Sequence, residues 1–161
     1  MSIAFSGSEL INIAIGIERR GVVFYDVMTR STKNDASHDI FKHLTDMERQ
    51  HIQIFQDMLN DVDKYQVPES DTEEYAAYLQ ALVDSAVFTD DFLTSEMATR
   101  VNNDIEALEL AISAEKDSIL FYYGMQDLIP RPAQSTVNKI IAEEKLHVRQ
   151  LFELKKKLAT I

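Results

Sequence analysis

Two stretches of the chain read Glu48-Arg49-Gln50-His51 and Glu144-Lys145-Leu146-His147. In each stretch a Glu and a His are three residues apart, which places them on one face of a helix about a turn apart. A lone Glu precedes each pair, Glu18 by thirty residues and Glu115 by twenty-nine. One Glu from each of two helices and a Glu-x-x-His from each of two others form a carboxylate-bridged dinuclear metal site in four-helix bundles. We therefore predict that these six residues bind two metal ions.

The sequence around the predicted ligands is repeated. Ile13-Ala14-Ile15 and Phe24-Tyr25 correspond to Leu110-Ala111-Ile112 and Phe121-Tyr122 at an offset of 97. The two Glu-x-x-His pairs correspond at an offset of 96. This twofold repeat predicts two similar helical hairpins with equivalent ligands on opposite sides of one central site.

Apolar residues recur at helical spacing through four long segments, which predicts an all-α fold. The first segment starts at a capping box, Ser6-Gly7-Ser8-Glu9, and continues to about Arg30. The third and last segments are separated by Ile129-Pro130-Arg131-Pro132. These prolines predict a break in the helix, because proline removes a backbone donor. The three later helices are predicted at about 36–60, 103–127 and 133–158.

Residues 61–100 differ from the two hairpins. They are rich in polar, loop-like sequence, with one shorter helix predicted at about 72–87. A connection of this length suits the long crossover of a ferritin-like bundle. We therefore predict one ferritin-like domain over residues 1–161, in which the crossover joins a hairpin at 6–60 to a hairpin at 103–158.

The composition excludes several kinds of protein and of metal site. The absence of cysteine excludes disulfides, thiolate zinc sites, iron–sulfur clusters and rubredoxin-type iron centres in this chain. The net charge of −11 argues against binding to nucleic acid or to anionic lipid. No apolar run approaches the roughly 18 residues that span a bilayer, and the start does not resemble a signal peptide. We therefore expect no membrane attachment and a cytoplasmic location.

Several side chains near the predicted ligands have roles that the pattern defines less sharply. Tyr25 and Tyr122 each follow a lone Glu by seven residues, on the same helix face. They are predicted either to hydrogen-bond to a ligand carboxylate or to pack as ordinary core aromatics. Glu143 points about 100° away from the ligand that follows it, which predicts a solvated charge. His38 and His43 have no Glu at the matching offset and are predicted to lie on the surface.

The predicted ligand set restricts the choice of metal. Four carboxylates that converge inside a bundle repel one another unless cations or protons intervene. Four carboxylates and two imidazoles suit iron or manganese better than copper. We expect two iron ions, with manganese or zinc as alternatives.

The third long segment contains the phrase Ala114-Glu115-Lys116-Asp117-Ser118-Ile119-Leu120-Phe121-Tyr122. This phrase resembles the third helix of the rubrerythrin branch of the ferritin-like superfamily. The resemblance implies a di-iron site and a role for each ligand. Glu48 and Glu144 would bridge the metals, Glu18 and His51 would complete one metal, and Glu115 and His147 the other.

Three features depart from the related families. Rubrerythrins often carry a further Glu one turn after the third-helix ligand, where this chain has Ser118. Bacterioferritins have a similar ligand set and bind haem through a Met beside the bridging Glu of helix two. Here Arg49 follows Glu48, so we expect no haem. Without cysteine the chain has no rubredoxin module, and its electrons would come from an external donor such as a rubredoxin-like protein.

The resemblance favours a di-iron oxidoreductase that reduces hydrogen peroxide or O2, with the six predicted ligands as its catalytic residues. One alternative is a ferroxidase, in which iron is the substrate. Another is a non-catalytic metal-binding bundle. Oxygenation of an organic substrate would require an apolar pocket beside the metals. We expect a homo-oligomer, and the long crossover makes a domain-swapped arrangement of the hairpins one option.

Overall fold

The computed structural model describes residues 5–61, 72–93 and 101–161, which form five helices and no strands. The helices are α1 Gly7–Ser31, α2 Asp35–Asn60, α3 Thr72–Asp84, α4 Asp104–Gln126 and α5 Arg131–Ala159. No helix in these three ranges has an apolar stretch long enough to cross a membrane. The predicted all-α fold class is confirmed, although residues 62–71 and 94–100 of the predicted crossover lie outside the described residues.

Polar side chains cap the starts of three long helices. At α1 the predicted capping box is present: Ser6 Oγ accepts from the Glu9 amide at 3.2 Å, and Glu9 Oε2 accepts from the Ser6 amide at 2.7 Å. Asn34 at α2 and Asn103 at α4 each accept from the amide three residues later, both at 2.9 Å. These bonds satisfy backbone donors that have no partner within the helix.

Two helix boundaries differ from the prediction. The last helix begins at Arg131 rather than at 133, because a proline such as Pro132 fits the first turn of a helix, where no amide donor is needed. The crossover helix α3 ends at Asp84 rather than at about 87. There the Val87 amide donates to Asp117 Oδ2 at 2.9 Å, so it does not continue the helix.

The bundle consists of two helical hairpins. Helices α1 and α2 pack together along their length and are joined by only three residues, while α4 and α5 form the other pair. The hairpins meet through α1 against α4 and α2 against α5. Helix α3 packs on α4 beside Gly124, where an added Cβ would lie 2.5 Å from Leu79. Gly124 therefore permits the close approach of α3.

The apolar core is divided into two clusters at opposite ends of the bundle, and each contains residues from all four long helices. The cluster near the α4–α5 turn includes Leu10, Ile11, Phe55, Phe121, Met125, Val137 and Ile140. The cluster near the α1–α2 turn includes Phe24, Met28, Phe41, Leu44, Leu108, Leu151 and Leu154. In every long helix the predicted ligands fall between the residues of these two clusters. The predicted site is therefore a polar layer enclosed by apolar packing.

Candidate metal centre

The structure brings all six predicted ligands together in the middle of the bundle. Each of the six residues is at most 4% exposed. They form two overlapping groups, each with its ligand atoms within 4.8 Å of one another. The first group is Glu18, Glu48, His51 and Glu144, and the second is Glu48, Glu115, Glu144 and His147. Glu48 and Glu144 belong to both groups, which is the arrangement that two bridging carboxylates require.

Both histidines direct the same ring atom towards the carboxylates. His51 Nδ1 lies 3.1 Å from Glu144 Oε1 and 3.4 Å from Glu18 Oε2. His147 Nδ1 lies 2.9 Å from Glu144 Oε2 and 3.9 Å from Glu48 Oε1. The two rings stack with their centroids 5.9 Å apart. Nδ1 is therefore the atom that each imidazole would offer to a metal ion.

Burial and mutual repulsion shift the pKa values of three carboxyl groups upward. Burial raises the pKa of Glu48 well above its ordinary range, and the charges of Glu18 and Glu144 add to the effect. Burial and the charge of Glu144 likewise raise the pKa of Glu115. The pKa of Glu144 is raised by burial and by the charge of Glu18. These groups favour protons or cations close by.

The pKa values of the other three predicted ligands do not all shift in one direction. Burial acts to raise the pKa of Glu18, but hydrogen bonds with Glu48 and His51 outweigh it and lower that pKa. Burial acts to lower the pKa of His51, but hydrogen bonds with Glu144 and Glu18 raise it to about 11. Burial lowers the pKa of His147. Metal ions bound among these groups would displace the protons that otherwise balance their charges.

One ligand oxygen fits a cation especially well. Glu48 Oε1 is fully buried and has no hydrogen-bond partner among the residues that the structure describes. A buried carboxylate oxygen without a partner is costly unless a cation or proton satisfies it. This oxygen belongs to a donor set of four carboxylates and two imidazole nitrogens, which suits two iron or manganese ions.

Two tyrosines join the hairpins at the terminal carboxylates. Tyr25 on α1 donates a hydrogen bond to Glu115 Oε1 on α4 at 2.5 Å. Tyr122 on α4 donates in return to Glu18 Oε1 on α1. Burial and the neighbouring carboxylates raise the pKa of both phenols, so both remain donors. Of the two predicted roles, the structure shows the hydrogen bond to a carboxylate, and each bond goes to the opposite hairpin.

Glu143 is partly solvated, in line with the prediction, but it also makes a contact that was not predicted. Its Oε2 lies 2.8 Å from His51 Nε2, and its side chain is 43% exposed. The turn of about 100° on α5 directs this carboxylate towards α2 and leaves it partly exposed to solvent. Helix periodicity alone could not find this contact, because it depends on how α2 and α5 pack. His38 and His43 are exposed as predicted, although the His43 ring centroid is 6.4 Å from that of His147.

Comparisons with known proteins agree with this geometry. The family model described as Rubrerythrin matches residues 9–155. The chain belongs to the rubrerythrin family. A crystal structure from Thermotoga maritima, provisionally described as a ferritin-like diiron-carboxylate protein, is similar in fold, with a TM-score of 0.71 and 32% sequence identity. The similarity covers 97% of this chain and 98% of that one. No curated protein matches the sequence at a significant level.

The family and the fold support a diiron protein, and the buried Glu and His groups are suited to binding the iron. Residues 9–155 include all six predicted ligands and both tyrosines. The assignment of individual residues as ligands, and of Glu48 and Glu144 as bridges, rests on the geometry and stays a prediction.

In this rubrerythrin-family protein a small cavity leads from the surface to the carboxylates. It lies between α1 and α4, with Glu48 and Glu115 at its inner end and Gly21 and Ser118 beside them. Its volume is about 40 Å³, which holds a few water molecules. The sequence did not predict this cavity, although Gly21 and Ser118 are small residues one turn after the two lone glutamates.

The segment that follows α3 forms part of the cavity wall through Ala86 and Phe88. Arg20 Nε is 3.1 Å from Asp90 Oδ1, and Asp117 accepts from the Val87 amide. The ring of Phe88 packs against Phe24 with centroids 4.5 Å apart. This segment is thus held to both α1 and α4.

Proposed function

We propose that this protein is a diiron oxidoreductase that reduces hydrogen peroxide, with O2 as the alternative oxidant. The observation that carries the proposal is the pair of buried ligand groups that share Glu48 and Glu144 and adjoin a small cavity. Reduction of one peroxide molecule consumes two electrons and two protons and gives two molecules of water. Two iron ions held side by side can supply both electrons to one O–O bond.

The residues of the chain would define the ligand positions and control access. Glu48 and Glu144 would bridge the ions, Glu18 with His51 would complete one position, and Glu115 with His147 the other. Tyr25 and Tyr122 restrain the terminal carboxylates by hydrogen bonds. The two apolar clusters exclude water from both ends of the site. Fixing such ligands in advance lowers the cost of ordering them on metal binding.

The size of the cavity favours a small oxidant over an organic substrate. Pockets that bind drug-sized molecules usually measure about 300–1,000 Å³. The cavity beside Glu48 and Glu115, at about 40 Å³, suits a molecule of the size of peroxide or O2. Its apolar walls include Ile17, Leu82 and Phe121. Oxygenation of an organic molecule would require this space to enlarge.

The source of electrons is a further part of the proposal. The chain contains no cysteine, so it cannot hold a rubredoxin-type centre of its own. An external donor, such as a rubredoxin-like protein, would return the iron to its reduced form. A homo-oligomer, iron rather than manganese or zinc, the absence of haem and a cytoplasmic location remain predictions from the sequence.

Rapid mixing tests the choice of oxidant. The protein is loaded anaerobically with two equivalents of Fe(II) and mixed with hydrogen peroxide or with O2, while iron oxidation is followed by absorbance. We expect peroxide to oxidise the bound iron faster than O2 at equal concentration. Faster reaction with O2, followed by continued uptake of added Fe(II), would instead indicate a ferroxidase. Binding without reaction towards either oxidant would leave only a metal-binding bundle.

A further inference from the structure

We infer that the two metal positions are unequal and that Glu143 is the positioning residue that distinguishes them. Position 1 is the site completed by Glu18 and His51, and position 2 is the site completed by Glu115 and His147. Position 1 would bind its ion first and more tightly, whereas position 2 would face the oxidant. This inference rests on the proposed dinuclear site.

The first observation is that the Nε2 atoms of the two histidines have different neighbours. His51 Nε2 lies 2.8 Å from Glu143 Oε2. At the offset of 96 that relates the two hairpins, the residue equivalent to Glu143 is Met47. No carboxylate of the described ranges is within hydrogen-bonding distance of His147 Nε2. Among the residues that the structure describes, therefore, only the imidazole of position 1 has a carboxylate at its Nε2.

A carboxylate behind a ligand histidine affects metal binding in two ways. When Nε2–H donates to Glu143, the Nδ1 lone pair of His51 is directed towards Glu18 and Glu144. The negative charge also makes the imidazole a stronger ligand. Loss of such a partner typically lowers metal affinity about 10- to 100-fold.

The second observation is independent of the histidines. Among the described residues that line the cavity, two are predicted ligands, Glu48 and Glu115. Glu48 belongs to both ligand groups, whereas Glu115 belongs only to that of position 2. Glu18 and His51, which belong only to the group of position 1, do not line the cavity. The residues that belong to position 1 alone are therefore away from the cavity, whereas Glu115 of position 2 lies beside the space through which a small molecule would arrive. The two observations assign tight binding and access to different positions.

Titration calorimetry with Co(II) under anaerobic conditions tests the inference without catalysis. The unaltered protein should bind two equivalents in two steps that differ in affinity by about tenfold or more. Glu143→Ala should weaken the first step about 10- to 100-fold and bring the two steps together. Glu143→Gln, which keeps an acceptor but loses the charge, should have an intermediate effect. Glu153→Gln changes the same charge at an exposed place on α5 and should have no effect.

Met47→Glu supplies the reverse test, because it places a carboxylate at the equivalent position behind His147. This change should tighten the second step while the first is unchanged. Unchanged binding by both Glu143→Ala and Met47→Glu would overturn the role of the carboxylate.

Crystals grown with one equivalent of Co(II) identify which position fills first. Anomalous scattering should place the ion beside His51 in the unaltered protein. Equal occupancy, or an ion beside His147, would overturn the inference while leaving the dinuclear site intact. A protein that binds no Co(II) or only one equivalent would refute the dinuclear site itself, so the two failures are distinguishable.

Discussion

The two hairpins supply the same predicted ligands but surround them with different residues. One Glu, one Glu-x-x-His pair and one tyrosine come from α1–α2, and the same set comes from α4–α5. Around this set, Gly21 corresponds to Ser118, and Met47 corresponds to Glu143. The coordination chemistry requires the ligands in both halves, whereas it leaves the neighbours of each ligand free to differ. The differences are therefore where this protein can make one metal position unlike the other.

The tyrosines show that the halves are not independent. Each phenol donates to the predicted terminal carboxylate of the opposite hairpin, so each predicted metal position would depend on both hairpins. The shared Glu48 and Glu144 strengthen this dependence. A substitution in one hairpin should therefore alter metal affinity at the position that the other hairpin completes.

The largest expected effect comes from removing the two shared carboxylates. Glu48→Ala combined with Glu144→Ala should abolish binding of both metal ions, because each position loses two of its four ligands. Metal content after anaerobic loading, measured by elemental analysis, checks this. The matched control is Glu109→Ala with Glu153→Ala, two exposed changes on α4 and α5. Circular dichroism would establish that the altered protein still folds, and two retained ions would refute the bridging assignment.

Substitution of either tyrosine should have a smaller effect on metal affinity. The loss should occur at the position that the opposite hairpin completes. Tyr25→Phe removes the hydrogen bond to Glu115 and should weaken position 2, whereas Tyr122→Phe should weaken position 1 at Glu18. Loss of a partner to a metal-binding carboxylate typically costs about 10-fold in affinity or more. Stepwise Co(II) titration separates the two outcomes. Loss at the position completed by the tyrosine's own hairpin would contradict the crossed arrangement.

The sequence predicted the parts of this site that depend on spacing within a helix. The i, i+3 pairs, the repeat and the apolar stripes are sufficient to place Glu48, His51, Glu144 and His147 on inward helix faces. The contact of Glu143 with His51 was not predicted, since it depends on the rotation of α5 against α2. The cavity was also missed, because small side chains leave a void only where the neighbouring helices fail to fill the space beside them.

Stability against pH should reveal the raised pKa values of the carboxyl groups. Burial raises the pKa of Glu48, Glu115 and Glu144 above the ordinary value of 4.5. Such groups stabilise the fold fully below the unfolded-state pKa, and that contribution is lost as pH rises through the folded-state pKa. The metal-free protein should therefore lose stability as pH rises from about 4.5. The lowered pKa values of Glu18 and His147 act in the opposite direction at the acid end.

Thermal unfolding of chelator-treated and metal-loaded protein, measured from about pH 5 to pH 8, checks this expectation. Bound cations replace the protons, so the gain in Tm from metal should grow with pH. The Glu48→Ala, Glu144→Ala protein is the control, since it lacks two of the three groups and should show a flatter profile. A metal-induced gain that shrinks towards pH 8 would contradict the proposed exchange of protons for cations.

The smallest effect should distinguish Gly21 from its counterpart Ser118. A Cβ at Gly21 would lie 3.1 Å from Glu48 Oε2, so this predicted bridging carboxylate would have to shift by a few tenths of an ångström. In Gly21→Ala, better helix propensity contributes about 1 kcal/mol. This offsets much of the overpacking cost of about 1–3 kcal/mol, so Tm should change little. The displaced carboxylate should nevertheless weaken Co(II) binding by about fivefold, roughly 1 kcal/mol.

Ser118→Ala is the matched change in the other hairpin, because it removes only a hydroxyl that donates to the Ala114 carbonyl at 3.1 Å. Its Cβ is already present, so it introduces no new contact with a ligand, and Co(II) affinity should stay within about twofold. Calorimetry on both variants measures the contrast. Equal losses would show that this face of the site responds to any change in the cavity wall. A loss confined to Gly21→Ala would show that the hairpins differ because one of them leaves room for the carboxylate that both metal positions share.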